Sequence, residues 1–296
     1  RPRAHRPRAR RAADGAPSAR AERGVPRRTV LTTGASSGIG LATALEIAAA
    51  GHRSVATVRS EKKAEALALA ARARRLEVET HLLDVTDADG CAAVIDDVRP
   101  DAVVNNAGFA VFGAVECVPE DDARALFDTL VFGPARLARL ALPHMRERGW
   151  GRVVFIGSLF GRVGAPPLGW YAAAKHAIEG LADALRMEVA RDGIGVVVIE
   201  PGGVRSSMLA DAQREAERYE SDRYERAHRM ARDGLRWTDF LRADPSGVAR
   251  VVVQSIDAAS PPARTLVGVD AQIIGRLSPW LPDWLTDRVT RAVQGL

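Results

Sequence analysis

Tyr171 and Lys175 stand four residues apart in the run Tyr171-Ala172-Ala173-Ala174-Lys175, and Ser158 precedes the tyrosine by thirteen. On a helix, a spacing of four puts both side chains on one face. These residue types suit the interconversion of an alcohol and a carbonyl. A carbonyl that receives hydride develops alkoxide character and needs a proton donor beside its oxygen. A tyrosine of pKa about 10 is a poor acid–base near neutrality unless a cation stabilises its phenolate. Lys175, with the positive charge of an oxidised nicotinamide, can supply that cation. Ser158 can hydrogen-bond and orient the same oxygen. A chance Tyr–Lys pair on a helix surface would be worth only a few tenths of a kcal/mol. Composition argues against chance: 39 arginines accompany only three lysines (Lys62, Lys63 and Lys175), and the last 230 residues hold no other lysine.

A second set of residues suits a nucleotide. Thr33-Gly34-Ala35-Ser36-Ser37-Gly38-Ile39-Gly40 follows a short β-branched run and opens an Ala/Leu-rich helix. Glycines let the backbone approach a pyrophosphate, and the helix N-terminus offers N–H groups and the positive end of a dipole. Gly34, Ser36, Ser37, Gly38, Ile39 and Gly40 are therefore candidate cofactor contacts, with GxxxGxG rather than GxGxxG spacing. The second apolar run ends in Val58-Arg59. A carboxylate there would hold a ribose 2′-hydroxyl, whereas Arg59 with Ser37 suits a 2′-phosphate, so NADP(H) is expected over NAD(H). Asp84 and Val85, ending the third run, are placed to border the adenine. Asn105-Asn106-Ala107-Gly108 ends the fourth, where small residues let the backbone border a cofactor.

Positioning these groups requires alternating strands and helices. Strands are expected at 29–33, 54–58, 76–83, 101–105, 152–156, 195–199 and 264–267. Helices are expected at 39–50, 61–75, 88–98, 121–148, 171–191, 246–258 and 272–295. Crossovers of helical length without hairpin turns imply a parallel sheet. The near-continuous apolar strands suit burial on both faces. The fold class is α/β: one doubly wound Rossmann-type domain over 29–296, with helices on both faces and ligands at the carboxyl ends of the strands.

The order and spacing of TGASSGIG, NNAG, Gly157-Ser158, YAAAK and Pro201-Gly202-Gly203-Val204 resemble those of the short-chain dehydrogenase/reductase family, across roughly residues 28–270. The resemblance implies a sheet of about seven strands, a nicotinamide cofactor and a small-molecule alcohol or carbonyl substrate. It implies that Tyr171 is the acid–base, Ser158 the partner of the substrate oxygen, and Lys175 the residue that binds the nicotinamide ribose and lowers the tyrosine pKa. Asn105, Ala107, Gly108, Pro201, Gly202 and Val204 would border the cofactor. The strand end Ala56-Thr57-Val58-Arg59-Ser60 is similar to the NADP-dependent hydroxysteroid and retinol dehydrogenase branch. A homodimer or homotetramer follows from the same resemblance. One position departs from it: Leu130-Val131-Phe132-Gly133 replaces the family's Asn-Val-Phe-Gly, whose asparagine helps hold a water linking the lysine to solvent. Leu130 motivates an alternative reading, a nucleotide-binding regulatory or scaffold protein with weakened turnover.

Residues 206–238 lie where the family's substrate lid varies. Met208, Leu209, Met230, Leu235 and Trp237 are candidates for an apolar pocket floor, extended by Phe109, Phe112 and Trp170; this suggests a lipophilic substrate. Within the C-terminal helix expected from 272 onward, Trp280, Leu281, Trp284, Leu285, Val289 and Val293 form an apolar stripe. Covering the substrate entrance or a partner subunit is favoured over peripheral membrane contact, because Asp283 and Asp287 offset Arg288 and Arg291. The formal charge of +5 is the sum of two unlike parts. Residues 1–28 hold ten arginines and two acids, an Arg/Pro/Ala-rich tail expected to be disordered. The remainder is mildly acidic, and because the tail has neither interleaved aromatics nor a fold, no nucleic-acid partner is expected. Cys91 and Cys117 form no CxxC pair, the six histidines show no ligand spacing, and no metal is expected. No apolar run approaches a membrane span and no signal peptide is recognisable, so a cytoplasmic protein is expected.

Overall fold

A computed structural model of the chain describes residues 26–205, 208, 211, 214, 216–219, 221–229 and 242–294. Seven strands form the centre: β1 (Thr29–Thr32), β2 (Arg53–Val58), β3 (Val78–Leu82), β4 (Ala102–Asn105), β5 (Gly151–Ile156), β6 (Ile194–Pro201) and β7 (Arg264–Val267). They make one parallel sheet in the order β3-β2-β1-β4-β5-β6-β7. The chain lays β2 and β3 outward from β1, then returns to place β4 on the other side of β1. That reversal opens a crevice between the carboxyl ends of β1 and β4, where a doubly wound sheet takes its ligand.

The linking helices are α1 (Gly38–Ala49), α2 (Glu61–Ala73), α3 (Ala88–Val98), α4 (Glu120–Phe127), α5 (Gly133–Arg148), α6 (Gly169–Glu188), α7 (Pro245–Asp257), α8 (Val269–Leu277) and α9 (Asp283–Gln294). Successive strand residues serve opposite faces, which is why the strands read as unbroken apolar runs. Val103, Val153, Phe155, Val196 and Val198 join the core under α3, α5 and α6. Val104, Val154, Ile156, Val197 and Ile199 instead meet Ile47 of α1 and Val248, Val252 and Ile256 of α7. On the same side, Leu67 of α2 packs with Ala44 and Ala56.

Three expected elements take another form. The helix expected over 121–148 is interrupted by a π-helical turn, Asp128–Phe132, that carries Leu130. Pro134 follows at the start of α5, and without an N–H it cannot close the usual bond to residue 130. The single C-terminal helix divides into α8, a 3₁₀ turn at Ser278–Trp280, and α9. Pro279 and Pro282 restrict the residues before them and break the run. Strand β3 is shorter than expected at both ends. It is the sheet's edge, where only one neighbour fixes the backbone.

Residues 1–25 of the basic tail lie outside the described residues, as do Leu209, Met230, Leu235 and Trp237. Among the described residues, no helix is long and apolar enough to cross a membrane.

Candidate active site and cofactor groove

The crevice between β1 and β4 is stitched by Thr33 and Asn106. Thr33 Oγ1 accepts from the backbone N–H groups of Asn106 and Ala107, each at 3.0 Å. The Asn106 side-chain amide donates to the carbonyls of Thr33, at 2.9 Å, and Gly34, at 3.1 Å. Gly34 has φ +66°, and a Cβ there would lie 2.6 Å from Ala107 Cα. Only glycine meets both conditions. The two strand ends thus approach closely and leave a groove of about 150 Å³ against the first turn of α1.

Gly34, Ser36, Ser37, Gly38, Ile39, Gly40, Val58, Arg59, Asp84, Val85, Asn106, Ala107, Gly108 and Phe109 line this groove. The first N–H groups of α1 have no intrahelical partner and form its anion-favouring end. Lys63, one turn into α2, joins Arg59 at the rim. Burial works against ionisation of Asp84. It is outweighed by hydrogen bonds from the N–H and hydroxyl of Thr86 and by the charge of Arg59, which hold the carboxyl below its ordinary value. Asn105 does not line the groove: its side chain is buried at the end of β4, and its amide atoms have no hydrogen-bond partner. A pyrophosphate-bearing dinucleotide fits these residues, since the groove is bordered by the small side chains and backbone of Gly34, Ser36, Ser37, Gly38 and Gly40 at the start of α1.

A second cavity, of about 340 Å³, adjoins the groove and shares Ile39, Asn106, Gly108 and Met208 with it. Ser158, Tyr171 and Lys175 all line it, together with Pro201, Gly202 and Val204. Ser158 follows β5 and caps the 3₁₀ turn Leu159–Gly161, its Oγ accepting from Phe160 N at 3.2 Å. Tyr171 and Lys175 project from the first turns of α6. The lysine Nζ lies 5.7 Å from the tyrosine ring centre and donates to the Ile156 carbonyl at 2.7 Å.

All three side chains are buried, with exposures of 6% for Tyr171, 7% for Ser158 and 8% for Lys175. Burial pushes the Tyr171 hydroxyl up to about 12, partly opposed by its hydrogen bond with Ser158. Burial brings Lys175 down to about 8, opposed by the charge of Glu179. In the protein alone the phenol is therefore held above its ordinary pKa, not below it. The desolvation of its anion outweighs the hydrogen bond from Ser158.

The family profile described as short chain dehydrogenase matches residues 28–217, from β1 past the end of β6. The chain belongs to the short-chain dehydrogenase/reductase family. As a member, it is an oxidoreductase with a Rossmann-type sheet. It is 33% identical over 251 residues to human 17-beta-hydroxysteroid dehydrogenase type 1, covering 80% of this chain and 76% of that one. A short-chain dehydrogenase from Streptomyces avermitilis superposes with a TM-score of 0.72 at 33% identity, covering 90% of this chain and 98% of that one. A metagenomic short-chain oxidoreductase in complex with NADP superposes with a TM-score of 0.65 at 26% identity, covering 81% and 96%.

Of the expected substrate residues of this short-chain dehydrogenase/reductase, Ser158, Met208 and Phe112 line the second cavity. Phe109 lines the cofactor groove instead. Trp170 lines neither. Its indole N–H donates to the Val115 carbonyl at 3.1 Å, and its ring meets Phe127 edge-on at 6.3 Å. Sequence reasoning passed over Leu168, Arg242, Asp270 and Ile274, which wall the same cavity. Asp270 Oδ2 accepts from Gly203 N at 2.6 Å and so fastens α8 to the Pro201–Val204 segment. It also passed over Lys63, for which the rarity of lysine was an available signal.

Proposed function

We propose that this enzyme is an NADP(H)-dependent oxidoreductase that interconverts an alcohol and a ketone or aldehyde of a lipophilic substrate, with Tyr171 as acid–base. The observation that carries this reading is the shared cavity: Ser158, Tyr171 and Lys175 face one volume that adjoins the glycine-loop groove. Its size suits a small ligand. Its other walls include Ala110, Phe112, Leu130, Leu159, Phe160, Leu168 and Ile274, so an apolar body is favoured. The similarity to a hydroxysteroid dehydrogenase agrees with that preference. Arg59 and Lys63 at the groove rim support a 2′-phosphate.

Bound there, the nicotinamide would supply or accept the hydride. Ser158 Oγ accepts from Phe160 N, and its hydroxyl hydrogen, which meets Tyr171 in the protein alone, would turn to the substrate oxygen. Tyr171 gives that oxygen its proton in reduction and takes the alcohol proton in oxidation. Lys175, fixed by the Ile156 carbonyl, places a positive charge behind the phenol. A homodimer or homotetramer is the assembly we favour, readable by light scattering.

Leu130 supports a second reading, a nucleotide-binding protein of reduced turnover, because its buried apolar side chain walls the cavity beside Gly108. The two are separated by following NADPH oxidation at 340 nm against ketones and aldehydes of increasing lipophilicity. Turnover lost in Tyr171→Phe supports the enzyme. Cofactor binding without turnover across the panel overturns it in favour of the second reading.

A further inference from the structure

Behind the Tyr171 helix lies a cluster of charges, with Glu179 and Glu200 buried at its centre, that the proposed reaction leaves unused. Helix α6 continues the Tyr171–Lys175 face with Glu179 and Asp183, four and eight residues beyond the lysine. Against this face stand Arg162 after the 3₁₀ turn, Glu200 on β6 and Arg264 on β7. Glu200 is fully buried and committed to Arg162, with bonds of 2.5 and 2.9 Å. Asp183 is shared by Arg264 and Arg186, each at 2.6 Å. Glu179 is different. Its Oε2 accepts from Arg264 Nε at 2.9 Å, while its Oε1 is buried without a hydrogen-bond partner.

That free oxygen lies beneath the backbone that presents Ser158. A Cβ on Gly157 would be 3.0 Å from Oε1, and one on Gly161 3.1 Å. The Glu179 carboxylate thus touches the Ser158 turn from below and shares a helix face with Lys175. A buried ammonium is costly without a counter-charge. Of the three carboxylates on this face, Glu200 and Asp183 are each saturated by arginines, which leaves Glu179 to serve the lysine.

We propose that Glu179 is a positioning residue for the reaction, acting through Lys175: from beneath the Gly157–Gly161 turn, its carboxylate keeps the buried ammonium charged. The carboxylate carries its charge on the alkaline side of its own titration, which is where Lys175 titrates. Burial, with the charge of Glu200, raises Glu179 to about 7 against the pull of Arg264 and Arg162. Glu179 is in turn the group opposing the desolvation of Lys175. The proposal rests on the reading of Lys175 as part of the reaction, but its test reads the lysine itself.

The experiment is competitive acetylation of the free enzyme with acetic anhydride across pH 6–10, with each lysine quantified by mass spectrometry. Lys62 and Lys63, exposed on α2, are internal controls. In Glu179→Gln the Lys175 midpoint should fall by about one pH unit while the controls stay fixed. The alkaline limb of kcat/KM for alcohol oxidation should fall with it. Glu179→Asp should restore part of the shift. An unchanged Lys175 midpoint in a folded Glu179→Gln protein overturns the proposal, whatever the activity. Should that variant not fold, the wild-type profile decides. Two inflections at Lys175, one near the titration of Glu179, support the coupling, and a single inflection overturns it. Neither acetylation readout needs a substrate, so failure of the proposed activity would leave this result standing.

Discussion

Replacing Arg59 by alanine should separate the two nicotinamide cofactors. Arg59 is exposed at the end of β2, beside the groove, and its charge acts on Asp84 across the rim. A charge-assisted contact with a phosphate is worth about 1.5–3 kcal/mol, and exposure to solvent screens it toward 1–2. At 1.4 kcal/mol per tenfold, Arg59→Ala should weaken NADPH binding roughly 5- to 30-fold. NADH lacks the 2′-phosphate, so its affinity should move less than about twofold, since Val58 and the glycine loop are untouched. Titrating tryptophan fluorescence with each cofactor measures both constants, and repeating the NADPH titration at higher salt should shrink the difference. Lys63 shares the rim, so Arg59→Ala with Lys63→Ala should lose more than either alone. Equal weakening of NADPH and NADH would refute the reasoning, because it would place Arg59 on a part common to both cofactors.

Gly34→Ala should abolish cofactor binding and lower stability by about 1–2 kcal/mol, because a side chain at φ +66° would also strike Ala107; thermal melting with and without NADPH checks both effects. Leu130→Asn should speed turnover by opening a polar route beside Lys175, at a cost of about 2 kcal/mol for an amide in a buried site; an unchanged kcat and pH profile would count against Leu130 as a brake. Glu179, raised in the fold from 4.5 to about 7, favours the folded state below its unfolded pKa, and that contribution is lost as pH rises through 7. Denaturant midpoints of the wild type should therefore fall between pH 4.5 and 7 more steeply than those of Glu179→Gln, and parallel slopes would contradict the assignment.

The sheet was legible because burial on both faces leaves a mark that needs no tertiary information: Val153 and Val154 point to opposite cores, so both must be apolar. The glycine loop was legible for a related reason, since Gly34 answers a backbone demand and any other residue would fail there. What escaped were facts set by distant segments meeting. Asn105 and Asn106 are neighbours of the same type. Only the pairing of β4 with β1 sends one into the sheet and the other to the carbonyls of Thr33 and Gly34. Trp170 adjoins Tyr171 in sequence, yet the helix turns it toward Phe127 and the Val115 carbonyl.

Lys175 shows the limit most plainly. Its rarity and its spacing from Tyr171 marked it in the sequence, but its burial and its bond to the Ile156 carbonyl arise only where α6 meets β5. Burial of the pair makes the phenol harder to ionise and the lysine easier to neutralise, so each change opposes acid–base work near neutrality. The charge that opposes this for the lysine in the protein alone is the carboxylate behind it, Glu179, and a cofactor would add its own in front. Glu179 is the one carboxylate of the cluster with an oxygen left over for that purpose. On the proposal made for Glu179, the spacing of four that announces the tyrosine and lysine continues for a third step, and the charge of Lys175 depends on it.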